Sequence, residues 1–150
     1  MKKPKPLIFE TKPARFNEMS IVSGFYCLHQ KKILLLKRHP QKLAGGFWCL
    51  PGGKKEEGES PKSAAIRELK EEVGIEVTEE ATVHLGTLYI QFPEMQYSFY
   101  IYRKEFIKKP LVILNLTESS EARWVSLEEA KGLPIIHDAY SILEYCNNKK

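Results

Sequence analysis

The sequence predicts an α/β (α+β) layered domain built around a mixed sheet. Three observations carry that prediction. Two apolar runs precede residue 40, one stretch after residue 60 has helical spacing with a start and a stop signal, and two more apolar runs lead to a short C-terminal helix.

Residues 1–17, with Pro4, Pro6 and Pro13, read as an extended, irregular segment. Residues 19–28 are rich in apolar and aromatic side chains and predict a strand. Lys31-Lys32 makes a polar turn, and residues 33–37 predict a second strand, so the two form an antiparallel hairpin. Residues 38–46 predict a loop, given His39-Pro40 and Gly45-Gly46. A short apolar piece, residues 47–50, then ends at Pro51-Gly52-Gly53. Ser60 suits an N-cap, Pro61 the first helical position and Gly74 the stop, with Ala65, Ile66, Leu69 and Val73 as the buried stripe between them. Residues 82–91 and 96–106 predict two strands paired across Phe92-Pro93-Glu94-Met95. Residues 122–125 predict a short strand, Ser126 with Glu129 a capping box, and residues 138–146 a final helix.

At 150 residues, without internal repeat or linker, the chain is expected to be one domain. With 43% hydrophobic and 28% charged residues it falls outside the disordered and membrane-embedded classes. The net charge of +4 suits an anionic small molecule, and it is too dispersed for a nucleic-acid footprint. Part of the excess sits in Lys2, Lys3, Lys5, Lys149 and Lys150, expected to be solvated tails. No apolar stretch approaches the roughly 20 residues that span a bilayer, and the basic N-terminus lacks a signal-peptide apolar region, so a cytoplasmic location is expected. Cys27, Cys49 and Cys146 are odd in number and widely spaced, which argues against disulfides and a zinc site. The scattered His29, His39, His84 and His137 argue against a histidine metal site. A homodimer is left open.

The chemistry concentrates in residues 53–75. Glu68, Glu71 and Glu72 project from neighbouring positions of the predicted helix. Like charges at this spacing cost a helix about 0.2–0.5 kcal/mol per pair unless water or a cation neutralises them. Hard carboxylate oxygens suit Mg²⁺ or Mn²⁺, and the Pro-Gly-Gly turn could bring the Gly53 carbonyl in as a further ligand. A divalent ion there would polarise a phosphoryl oxygen and acidify a water, as phosphoanhydride hydrolysis requires. Arg67, one turn before Glu71, can orient a carboxylate through a bidentate pair.

The competing reading is a solvated acidic helix face, and spacing decides against it. Gly53, Glu59, Arg67, Glu68, Leu69, Glu71, Glu72, Gly74 and Ile75 match every defined position of G-x5-E-x7-R-E-U-x-E-E-x-G-U, with U aliphatic. A chance match arises on the order of once in 10⁹ starting points at ordinary residue frequencies. The segment resembles the Nudix box, and the likeness extends more weakly over residues 19–127. Gly45 to Lys54 is similar to the lead-in of the MutT-like branch, which cleans up or recycles nucleoside triphosphates.

The resemblance implies an α/β/α sandwich with a mixed sheet. It also implies water attack at phosphorus in a nucleoside diphosphate linked to another group. By the same resemblance Gly53, Glu68, Glu71 and Glu72 would bind metal, one of the glutamates could act as base, and Glu59 and Arg67 would support them. Glu118 and Glu121 are both candidates for a further glutamate that many members recruit from a late loop. Arg38 and Trp48 are candidates for phosphate and base contacts, although an aromatic before a turn is more often core. The expected partner is a small nucleotide, with nucleoside triphosphates ahead of nucleotide sugars such as ADP-ribose and of dinucleoside polyphosphates. A non-catalytic nucleotide-binding module is the competing class.

Overall fold

A computed structural model describes residues 5–149; Lys2, Lys3 and Lys150 lie outside the described residues. Eight strands share one mixed sheet: β1 (Leu7–Phe9), β2 (Ser20–His29), β3 (Lys32–Arg38), β4 (Trp48–Cys49), β5 (Gly52–Lys54), β6 (Val83–Gln91), β7 (Gln96–Glu105) and β8 (Ser119–Val125). Three α-helices accompany them: α1 (Pro61–Val73), α2 (Leu127–Ala130) and α3 (Tyr140–Asn148), with a 3-10 turn at Ile136–Asp138. The spatial order is β1-β6-β7-β2-β3-β4, with β5 added to β2 and β8 to β3. Among the described strands only β2 and β7 pair in parallel with each other, in register from Ser20 opposite Tyr97 to Leu28 opposite Glu105.

The centre of the sheet is apolar on both faces. Along β2, Phe25 and Cys27 join one buried cluster while Tyr26 and Leu28 join another; along β3, Leu34 and Leu36 divide in the same way from Ile33 and Leu35. Strands with both faces covered read as continuous apolar runs, because successive side chains point to opposite sides. Ala65, Leu69 and Val73 of α1 fill the first cluster, and Ala130 of α2 with Leu143 and Cys146 of α3 fill the second. The sheet therefore lies between two helical layers, the predicted sandwich.

The helix carrying the motif forms where its caps predict. The Ser60 side chain accepts from the Ser63 N–H, Pro61 opens the helix, and Gly74 closes it at φ 69°, donating its N–H to the Lys70 carbonyl. Ala64 is buried as well as the predicted stripe, and Ile66 is only partly so. The Ser126–Glu129 capping box is present on α2.

β8 begins three residues before the expected 122–125 and α3 is shifted two residues past the expected 138–146, and three further elements depart more from expectation. The β2–β3 turn is Gln30-Lys31 rather than Lys31-Lys32, with φ of 48° and 64°, the handedness that a two-residue hairpin requires. Residues 7–9, expected to be irregular, form β1 and pair with Tyr89–Gln91 of β6. Pro4 lies outside the described residues, and Pro6 does not prevent this, since the ladder starts after it. Gly52–Lys54, expected to be only a turn, form β5 and pair antiparallel with Val22–Gly24. That pairing holds the glycines beneath α1.

Candidate active site

Gly52 and Gly53 meet α1 at two of its glutamates. The Gly52 N–H donates to Glu72 Oε1 at 2.6 Å. A Cβ on Gly53 would lie 2.6 Å from Cδ and Oε1 of Glu68, so the Glu68 carboxylate rests on the bare glycine. No other residue leaves that space.

Arg67 organises the other side of the cluster. Its Nε and Nη2 grip both oxygens of Glu59 at 3.1 and 2.7 Å, a bidentate pair. Its Nη1 reaches Glu68 Oε1 at 3.0 Å and Glu71 Oε2 at 3.2 Å, and Nη2 also donates to the Lys54 carbonyl at 3.2 Å. The bidentate partner is thus Glu59, eight residues back, rather than Glu71, because the planar fork is already filled when Nη1 turns toward the helix. The guanidinium ties the loop before α1 to the helix itself.

The electrostatics follow from burial and crowding. Burial pushes the Glu72 carboxyl up to about 8; the Gly52 hydrogen bond opposes this, and the charges of Glu68 and Glu118 add to it. Glu68 is also raised, chiefly by burial, with Arg67 opposing and Glu71 and Glu118 adding. Hydrogen bonds from the Arg67 side chain and then from the Glu56 N–H hold Glu59 at about 2. One side of the helix therefore keeps carboxyls that resist ionisation, while the supporting carboxylate is locked in its charged form.

A cavity of about 320 Å³ adjoins the glycines. Tyr97, Phe99, Ile135 and Ile142 give it apolar walls, and Arg38, Gly52, Gly53 and Lys54 also line it. A wider groove of about 610 Å³ lies under residues 109–112 against Leu34 and Trp124, but neither Gly52 nor Gly53 lines it. Location makes the smaller cavity the relevant one.

The profile of the NUDIX domain family matches residues 20–146, most of the chain and all of the cluster just described. The protein belongs to the Nudix hydrolase family. An 8-oxo-dGTP diphosphatase of Proteus vulgaris is 39% identical over 77 residues, which is 51% of this chain and 67% of that protein. An uncharacterized Nudix hydrolase of Bacillus subtilis, YvcI, is 31% identical over 116 residues, covering 76% of this chain and 70% of its own length. The match to Nudix hydrolase 2 of Arabidopsis thaliana takes in 91% of this chain but only 49% of that protein. Among solved structures, the MutT protein of Methanosarcina mazei superposes with a TM-score of 0.73 at 26% identity, over 87% of this chain and 94% of the other. The NUDIX domain of Shewanella oneidensis NrtR, solved with ADP ribose, shares the fold at a TM-score of 0.75 and 19% identity, with 93% of each chain covered.

The Nudix helix brings Glu68, Glu71 and Glu72 to one side, with Gly53, Glu59 and Arg67 in contact with them or with each other. Arg38 lines the cavity, donates from Nε to the Leu43 carbonyl at 2.7 Å, and lowers the Glu72 carboxyl through its charge. Trp48 is placed otherwise than its candidate role required. It is 3% exposed, packs in the α3-side core beneath the Arg123 guanidinium, and does not line the cavity. The core absorbs its ring because β4 pairs with β3 there and turns the side chain inward.

The two late glutamates also separate. Glu118 acts electrostatically on both Glu68 and Glu72. Glu121 lies one residue before Ala122, which packs in the α1-side cluster, so its side chain leaves from the other face, where it pairs with Arg123 at 2.7 Å. Sequence reasoning missed the cavity walls, since Tyr97, Phe99, Ile135 and Ile142 come from distant segments and no local pattern links them. Gly52 had a signal, the Pro-Gly-Gly turn, but its hydrogen bond to Glu72 required the fold.

Among the described residues no helix is long and apolar enough to cross a membrane.

Proposed function

We propose that this protein is a Mg²⁺- or Mn²⁺-dependent nucleotide pyrophosphatase that cleaves nucleoside triphosphates or related small nucleotides by attack of water at phosphorus. The observation that carries this reading is the seating of Glu68 and Glu72 against Gly53 and Gly52, the two glycines that also line a nucleoside-sized cavity. A merely solvated acidic face would not bury its glutamates or raise their carboxyls.

Among the described residues no three acidic, cysteine or histidine side chains form a ready-made cage, and Arg67 engages Glu68 and Glu71. The donor set nevertheless fits a hard divalent cation. Glu68, Glu72 and Glu118 repel one another, and oxygen ligands with room for waters and phosphates are what such an ion takes. Glu68, Glu71, Glu72 and the Gly53 carbonyl would hold it, with Glu118 as the late-loop carboxylate. A bound divalent cation would polarise phosphoryl oxygens and acidify water.

The chain's own groups supply the rest. Glu59 and Arg67 fix the loop and the helix relative to each other. One of Glu68, Glu71 and Glu72 would accept the proton that the attacking water releases. Arg38 and Lys54 face the cavity with charge complementary to phosphates, and Tyr97 and Phe99 offer apolar surface to a nucleobase. The similarity to the 8-oxo-dGTP diphosphatase of Proteus vulgaris and to a CTP pyrophosphohydrolase of Escherichia coli, 51% identical over 47 residues that make up 31% of this chain and 35% of the other, supports the triphosphate class.

Phosphate or pyrophosphate release from nucleotides, with Mg²⁺, with Mn²⁺ and with a chelator, tests the proposal. Glu72→Gln is expected to lower turnover by orders of magnitude while leaving the thermal transition in place. Near wild-type turnover in that variant, or full activity in chelator, would overturn the metal assignment.

A further inference from the structure

The segment between β7 and β8 closes on the last turn of the Nudix helix. The Ile113 N–H donates to the Val73 carbonyl at 2.9 Å, and the Asn115 N–H donates to the Glu72 carbonyl at 2.8 Å. Both carbonyls belong to the final turn, where intrahelical donors run out. Asn115 is used again on its other side. Its carbonyl accepts from the N–H groups of Glu118 and Ser119, each at 3.1 Å. Its Oδ1 accepts from the Thr117 N–H at 3.1 Å and the Thr117 hydroxyl at 2.7 Å. One residue therefore joins the backbone of Glu72 to the backbone of Glu118.

Glu118 needs such a tie. It is exposed, and its contact with Lys42 Nζ at 3.5 Å is between two half-exposed side chains, a pair that contributes little positional restraint. The remaining link is the His39 N–H donating to the Glu118 carbonyl at 3.1 Å, which holds the peptide but does not set its spacing from α1. The main-chain bonds of Asn115 set it, and the turn that its Oδ1 closes on Thr117 holds the residue in the conformation those bonds need.

We propose that Asn115 is a positioning residue that fixes Glu118 against Glu68 and Glu72, so that the late-loop carboxylate and the end of the Nudix helix move as one unit. This rests on the assignment of Glu118 to the site made above. An ordinary turn-forming asparagine would affect stability alone; a positioning residue also affects turnover and cation affinity through Glu118.

The test compares wild type with Asn115→Ala, Asn115→Asp, Glu118→Gln and the Asn115→Ala/Glu118→Gln double variant. Readouts are kcat and KM for a nucleoside triphosphate, Mn²⁺ affinity from the free-ion electron paramagnetic resonance signal, and thermal unfolding. Asn115→Ala is expected to lower kcat at least about tenfold with KM changed less than about twofold, and to weaken Mn²⁺ binding. Asn115→Asp keeps the acceptor and is expected to recover most of both. The double variant should be no slower than the slower single variant within about threefold. Wild-type kcat and Mn²⁺ affinity in Asn115→Ala, or losses that multiply in the double variant, would overturn the proposal. If Asn115→Ala does not fold, Thr117→Val removes only the hydroxyl donor and should give a smaller fall of the same kind; wild-type values there would also count against it. Full kcat in Glu118→Gln, beside an inactive Glu72→Gln, defeats this inference and leaves the hydrolase reading standing. A wild-type protein that hydrolyses no nucleotide defeats the hydrolase reading instead, and the Mn²⁺ measurements still decide the role of Asn115.

Discussion

The Gly52 N–H donates to Glu72 Oε1 at 2.6 Å, across 20 residues of chain, and this bond makes β5 the floor of the site. The two neighbouring glycines serve different ends. A Cβ at Gly52 would meet the Ser23 carbonyl oxygen at 2.2 Å and the Gly24 Cα at 2.8 Å, backbone atoms of the paired strand that cannot step aside. A Cβ at Gly53 would meet only the end of the Glu68 side chain. Gly52→Ala is therefore expected to destabilise the fold by about 1–3 kcal/mol or more, the usual cost of overpacking. Gly53→Ala should keep its unfolding midpoint within a few degrees yet lose at least about tenfold in kcat by displacing Glu68. Denaturant unfolding and steady-state kinetics on both variants check this; equal effects of the two on stability would contradict it.

Arg67 and Glu59 set an acid limit on stability. The folded-state Glu59 carboxyl sits at about 2, below its usual range near 4.5, so its deprotonated form is favoured by folding. That contribution is fully present above about pH 4.5 and is lost as pH falls toward 2. Wild-type stability is expected to fall through this window more steeply than that of Glu59→Gln, which has no such carboxyl to protonate. Chemical denaturation at half-unit steps from pH 5 to 2 measures the two slopes. Parallel slopes would mean that the pair contributes nothing to folding.

Much of this was legible before any coordinates because local rules and global packing agree in the motif. Ser60, Pro61 and Gly74 mark the ends of α1, and Leu69 with Val73 marks its buried side. The apolar runs of β2 and β3 announced strands because both faces of the central sheet are covered. What stayed hidden depended on long-range pairing. Residues 7–9 are apolar and strand-favouring, but three residues between Pro6 and Glu10 are too short a run to announce a strand, and β6 supplies the edge that makes them β1. Gly52–Lys54 have no β propensity, and the Val22–Gly24 ladder makes them a strand. Trp48 followed the general tendency of an aromatic beside a turn, into the core. The separation of Glu118 from Glu121 is a matter of strand alternation, which requires knowing that Ala122 faces α1.

Water, rather than a side chain, is expected to attack phosphorus. Burial pushes the Cys27, Cys49 and Cys146 thiols up to about 12, so thiolate is scarce at neutral pH. Cys49 alone of the three lines the cavity, and its Sγ is turned to the Leu36 carbonyl at 3.7 Å. A single turnover in isotopically labelled water should place one labelled oxygen in a phosphate product. A phosphorylated protein trapped by acid quench and found by mass spectrometry would refute the direct route.

Substrate preference is expected to lie with nucleoside triphosphates or similarly small nucleotides. A cavity of about 320 Å³ with mainly apolar walls accommodates one nucleoside, and Arg38 and Lys54 supply positive charge for its phosphates. A capped RNA would need a basic track along the surface, and a net charge of +4 spread over 150 residues does not provide one. Among the described residues Ser23 and His137 are polar side chains lining the cavity and no carboxamide or carboxylate does, so discrimination among bases is expected to stay within about tenfold in kcat/KM. The measurement is kcat/KM across the common and oxidised nucleoside triphosphates, ADP-ribose, a dinucleoside polyphosphate and a capped RNA. ADP-ribose preferred by more than about tenfold, equivalent to ~1.4 kcal/mol of transition-state discrimination, would move the protein to the nucleotide-sugar branch. That outcome would require the second ribose to find room beyond the cavity, and it would leave the roles of Glu68 and Glu72 unchanged.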